Sequence, residues 1–94
     1  MNYQWCHMKT YSYIPYYQGP TPTNPMREEL STDEQEQKLE AFYADIATHF
    51  EDVGCTVKRN SVGLISITTD MPEKDCHDIV KGLLISLDLR ADKF

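Results

Sequence analysis

From Cys55 to Thr69 the chain reads CTVKRNSVGLISITT, and no other stretch restricts the fold as much. Cys55, Val57 and Arg59 alternate with Thr56, Lys58 and Asn60, the period of two of a strand with one face buried and the other in water. Leu64, Ile65 and Ile67, followed by Thr68 and Thr69, are aliphatic or β-branched and suit a pleated surface. Between the arms, Asn60-Ser61-Val62-Gly63 has Asn and Gly where a tight reversal needs positive φ. The stretch is predicted as a β-hairpin around which the remainder is built.

Helices flank it. Ser31 with Glu34, and Thr32 with Gln35, both fit a capping box, in which a hydroxyl and a returning side chain satisfy orphan backbone N–H groups. Leu39, Phe42, Tyr43, Ile46, Ala47 and Phe50 then recur at spacings of three and four, and Gly54 is placed to end the helix. After the hairpin, Asp70-Met71-Pro72-Glu73 opens a second helix whose inner stripe is Cys76, Ile79, Val80, Leu83, Leu84 and Leu87. Measured from Cys76 at 100° per residue, Ile85 and Leu89 fall at about 180° and 220°, on the opposite side. A short strand over residues 85–90 is the alternative. The helix is preferred, because only Gly82 separates the two states and it would leave a very short helix.

The beginning of the chain is different in kind. It holds the single Trp and every Tyr but Tyr43, and residues 1–26 contain no Asp or Glu. Tyr3, Trp5, His7, Tyr11 and Tyr13 share one alternating face, interrupted by Lys9, which predicts an extended segment between Tyr3 and Ile14. Pro15 should end this strand or confine it to a sheet edge, since it lacks a backbone donor. Gly19, Pro20, Pro22 and Pro25 mark a stiff connector, and Asn24 before Pro25 suits the start of a short turn towards Leu30.

The predicted fold class is therefore α+β, a small two-layer sandwich. An antiparallel sheet (N-terminal strand plus hairpin 55–69) carries two helices, about 32–53 and 72–88, on one face. Residues 1–26 form an aromatic Tyr/Pro-rich segment of strand plus connector, and residues 27–94 a single α+β domain. Phe42, Tyr43, Ile46, Phe50, Val57, Ile65, Ile67, Ile79, Val80, Leu83 and Leu87 are the expected core. With 94 residues there is room for one core, and extra stabilisation by self-association is expected.

Charge and motif narrow the function only by exclusion. The net charge of −6 argues against direct nucleic-acid binding, which needs concentrated Lys and Arg. The acids are concentrated between Glu28 and Asp52. MNYQWCHMKTYSY has neither the basic nor the apolar region of a secretory signal, and no apolar run approaches the roughly 20 residues of a membrane span. A cytoplasmic protein with reduced thiols, not membrane-bound, is expected.

Cys6-His7, Cys76-His77 and Cys55 supply zinc-type donors, but adjacent residues seldom reach one metal, and the usual C-x₂₋₄-C spacing is missing. Cys76, near a helix start with His77 or His49 as a base, has the chemistry of a thiol nucleophile, yet its phase puts it on the core stripe. The acids read as solvated helix faces, with Glu34 and Lys38 an i,i+4 pair. No phosphate loop, H-E-x-x-H or G-x-S-x-G occurs. No catalytic residue, cofactor or metal is expected.

Exposed aromatics and stray aliphatics remain. Trp5, Tyr11, Tyr13, Tyr16 and Tyr17, with Ile85 and Leu89 on the outer side of the last helix, are the candidate partner-binding residues, since Tyr and Trp combine large area with a polar tip. The same aromatics serve equally well to complete the sheet. In layout the chain resembles the small acidic α+β chaperones that bind secreted effectors as dimers. It also resembles the small acidic inhibitors carried by phages and other mobile elements. The expected function is a non-enzymatic cytoplasmic accessory protein that binds another protein and forms a homo-oligomer. The alternatives are an acidic inhibitor mimicking nucleic acid and a small enzyme of unknown class.

Overall fold

The computed structural model describes residues 8–94. Its longer helix, α1 (Thr32–Glu51), starts where both halves of a capping box form. The Ser31 hydroxyl accepts from the Glu34 N–H at 3.2 Å, and the Ser31 N–H donates to Glu34 Oε1 at 3.0 Å. Ser31 rather than Thr32 is thus the cap, and bonds that favour the ionised carboxyl hold Glu34 below the usual carboxylate range. Phe42, Ile46 and Phe50, successive turns apart, are buried, with Leu39 and Tyr43 half-buried beside them. Past the helix, Gly54 adopts φ +86°, Cys55 N–H donates to Phe50 O at 2.9 Å, and Gly54 N–H to Glu51 O at 3.1 Å. That pair of bonds is a Schellman ending, which needs a left-handed residue.

The hairpin forms as β2 (Thr56–Arg59) and β3 (Ile65–Thr69). Asn60 Oδ1 accepts from the N–H groups of Val62 and Leu64 at 3.0 and 2.9 Å, and Gly63 has φ +90°, so Asn and Gly each make the turn in their own way. Two further strands complete the sheet: β1 (Lys9–Tyr16) and, after helix α2 (Glu73–Ser86), β4 (Arg90–Lys93). The order is β2-β3-β1-β4 and every pairing is antiparallel. Both helices pack on one face, α1 chiefly against β2 and α2 against β4. Tyr13, Ile65, Ile67 and Val57 meet Phe42, Ile46, Phe50, Cys76 and Val80 between the layers. Tyr43, Ile79, Leu83 and Leu87, expected in the core, are partly buried at its margin. On the other face, hydroxyl pairs Thr10–Thr68 and Ser12–Ser66, at 3.0 and 3.1 Å, line up across β1 and β3.

Two expectations are corrected. Pro15 neither ends β1 nor confines it to an edge, for β1 lies between β3 and β4 and runs on to Tyr16. Phe94 N–H donates to Ser12 O at 2.9 Å, so by the alternation of an antiparallel ladder Ser12, Ile14 and Tyr16 turn their polar groups to β4. The missing N–H of Pro15 then points to the β3 side, beyond the last pair there, Tyr13 with Ile65.

The second correction concerns residues 85–90. The helix, expected to reach about 88, ends at Ser86, and β4 starts at Arg90. Asp88 takes φ +57°, Leu89 N–H donates to Leu84 O at 2.9 Å and Asp88 N–H to Ile85 O at 3.1 Å. This is a Schellman ending with aspartate in the position glycine usually occupies. The chain reverses there and buries Leu89, 5 % exposed, in the core cluster that also holds Leu84. Leu89 is therefore not on the outer side of a helix. Among the described residues, no helix is long and apolar enough to cross a membrane.

Candidate functional site

Two clefts flank the sheet. The first, about 450 Å³, lies where β1 outruns β3, between Pro15, the first half of α1 and the hairpin turn. Its cation is already engaged: Arg59 Nη1 is 2.6 Å from Glu40 Oε2, and the guanidinium lies 4.2 Å from the Tyr43 ring centroid. The second, about 410 Å³, lies between α2 and β4. One wall is His77, Lys81 and Ile85, which at spacings of four form a single line along the helix flank. Leu84 and Leu89 are its apolar floor, and Arg90 and Ala91 its strand side.

The connector closes one end of this groove. Arg27 Nε donates to Gln18 O at 2.9 Å, and its Nη1 donates to both carboxylate oxygens of Asp88 at 2.9 and 2.8 Å. The same guanidinium lies 5.0 Å from the Tyr17 ring centroid, with Lys38 Nζ 5.8 Å away. Tyr17 in turn donates its hydroxyl to Glu28 O at 2.6 Å, and Lys38 donates to Leu87 O at 2.7 Å. The hydrogen bond to Arg27 holds the Asp88 carboxyl below the usual range and raises the Arg27 guanidinium. One aspartate thus both turns the chain out of α2 and fastens the connector to it.

Electrostatically the groove runs against the rest of the protein. In a chain of net charge −6 the groove's helix side carries Lys81, His77 and the Arg27–Asp88 pair, while Arg90, opposite Tyr16 in the sheet, stands at its rim on the other face. Among the described residues Lys81 and Arg90 form no ion pair. Buried under the wall, His77 Nδ1 has no hydrogen-bond partner among the described residues, while the ring stacks on Tyr13 at 6.1 Å. Ile85 is 67 % exposed above this. Along the rim runs an edge strand: since Phe94 bonds to Ser12, Ala91 and Lys93 turn their N–H and C=O groups away from β1, and no strand flanks that side among the described residues.

The candidate partner-binding residues do not assemble into one surface. Ile85 stands on the groove wall and Leu89 in its floor. Tyr13 is 1 % exposed in the core, so it completes the sheet rather than meeting a partner. Tyr11 is half-buried and donates to Met71 O at 3.2 Å. Tyr16 pairs with Arg90 in the sheet, and Tyr17 anchors the connector. Trp5 lies outside the described residues. His77, Lys81, Arg27 and Arg90 were not singled out for binding; the i,i+4 line His77-Lys81-Ile85 was the available signal, whereas only the fold brings in Arg27 and Arg90.

Cys76 is fully buried, and burial pushes its thiol up, with Tyr13 Oη 3.9 Å away. Cys55 Sγ donates to Thr69 Oγ1 at 3.2 Å. Among the described residues no three His, Cys, Asp or Glu side chains converge as a metal requires. Compared with protein-family models, curated proteins and solved structures, the chain matches none.

Proposed function

We propose that this chain is a non-enzymatic accessory protein that works by binding another protein at the α2–β4 groove. The observation that carries the reading is Ile85, 67 % exposed beside Lys81, which forms no ion pair among the described residues, and an edge strand. An exposed aliphatic residue alone is ordinary, but a concave apolar floor with converging polar groups is the usual form of a binding site. A cytoplasmic location goes with this reading, supported by Cys55 and Cys76, which form no disulfide among the described residues. Self-association rests on the small size of the chain and on Ile85 alone, because Leu89, expected beside it on an outer helix face, is buried.

Affinity capture with the purified protein tests it. A partner held by the wild type and by Val62→Asp, at the distant hairpin turn, but lost on Ile85→Asp supports the reading. Capture indifferent to Ile85→Asp refutes it. The acidic-mimic alternative rests on one observation, the exposed patch of Asp33, Glu36 and Glu40 on α1. It requires a basic partner lost on Glu36→Lys with Glu40→Lys and kept on Ile85→Asp.

A further inference from the structure

The edge of β4 and the charge of the groove beside it specify what kind of segment fits there. Ala91 and Lys93 present outward N–H and C=O groups, a template for one more strand. In such a strand alternate side chains point to the helix layer, where Ile85, Lys81 and Arg27 line the groove. The others fall on the open face, beside Arg90 and Asp92.

Resting on the binding reading above, we propose that the occupant is an extended, acidic peptide segment of another protein, added to β4 as a fifth strand. Main-chain pairing gives it affinity, and a carboxylate facing Lys81, with an apolar side chain on Ile85, gives it specificity. Nucleic acid fits less well. A phosphate backbone has no alternating donors and acceptors to pair with Ala91 and Lys93, and the exposed acids of α1 repel it. A second copy docked edge to edge would bring two cation-lined grooves together. An acidic strand instead neutralises the groove, and short charged edge strands such as β4 otherwise resist pairing.

The probe is a short labelled peptide alternating glutamate and valine, titrated by fluorescence anisotropy into the full chain. Three controls accompany it: the same peptide with lysine for glutamate, the glutamate peptide N-methylated at alternate residues, and a single-stranded oligonucleotide. The proposal expects the glutamate peptide to bind and the lysine peptide not to. N-methylation, which blocks pairing without changing charge, should weaken binding at least about tenfold, and Lys81→Glu about fivefold. Amide exchange at Ala91 and Lys93 should slow in the complex. Equal binding of the N-methylated peptide means attraction without a strand and overturns the proposal. Tighter binding of the oligonucleotide overturns it also, as does protection of Ala91 and Lys93 that depends on protein concentration alone. If Ile85→Asp loses a captured partner while every peptide fails to bind, the docking face stands and the acidic-strand inference falls.

Discussion

Leu89 and Ile85 provide a comparison in which helix phase and the observed chain path disagree outright. Continued helical phase puts both on the outer side of α2, where truncation is harmless. In the structure Leu89 is 5 % exposed and Ile85 67 %. Leu89→Ala removes most of a buried isobutyl group, a transfer loss of about 2 kcal/mol, and leaves a cavity. Because Leu89 also floors an open groove, its neighbours have room to relax, which keeps the total near about 2–3 kcal/mol. For a domain of this size that lowers Tm by roughly 10–20 °C. Ile85→Ala, on an exposed helix position, should change stability by no more than about 0.5 kcal/mol. Urea denaturation followed by circular dichroism measures both. A Leu89→Ala cost under about 1 kcal/mol, or equal costs for the two, would refute the reversal at Asp88.

Three further predictions follow from single contacts. Tyr13→Phe should leave stability within about 1 kcal/mol, since among the described residues the partner of its buried hydroxyl is a thiol 3.9 Å away; a larger loss in a urea titration would mean a stronger bond. Ser31→Ala should cost about 1 kcal/mol, as it removes the cap of α1, while Thr32→Ala should be nearly silent; the reverse order would place the cap one residue on. Glu34, Glu73, Asp78 and Asp88 are held below their ordinary values, by Ser31, Lys93, Lys74 and Arg27 respectively. Their native forms bind fewer protons than the unfolded chain, so their stabilisation is full above the unfolded carboxylate range, about pH 4, and is lost as pH falls through the folded values. Urea midpoints should drop on acidification below about pH 4; a rise there would contradict these pairings.

Local patterns in the sequence mark the parts of this fold that local chemistry determines. The capping box, the stripe Phe42-Ile46-Phe50 and the Asn60–Gly63 turn each depend on neighbours a few residues away, and each forms, the cap falling on Ser31 of the two candidates. The parts that local pattern does not mark depend on distant partners. β4 reads RADK, with no alternating apolar face, and becomes a strand because the Schellman reversal aims it at the free side of β1. That reversal uses Asp88 in place of a glycine, and its carboxylate is held by Arg27 from a connector far away in sequence. Pro15 misled for a similar reason, as its effect depends on which neighbour its nitrogen faces. The groove was hidden with them: the line His77-Lys81-Ile85 was visible, but the wall opposite was not.

The central claim is that β4 is a paired edge strand whose outer side no described strand covers. Amide hydrogen exchange of the free protein, read by NMR, tests it residue by residue. The alternation set by the bond from Phe94 to Ser12 predicts slowed exchange at Asp92 and fast exchange at Ala91 and Lys93. Fast exchange at all three would show that β4 does not pair with β1. Slow exchange at Ala91 and Lys93 would show that the edge is already covered, and either result would contradict the account.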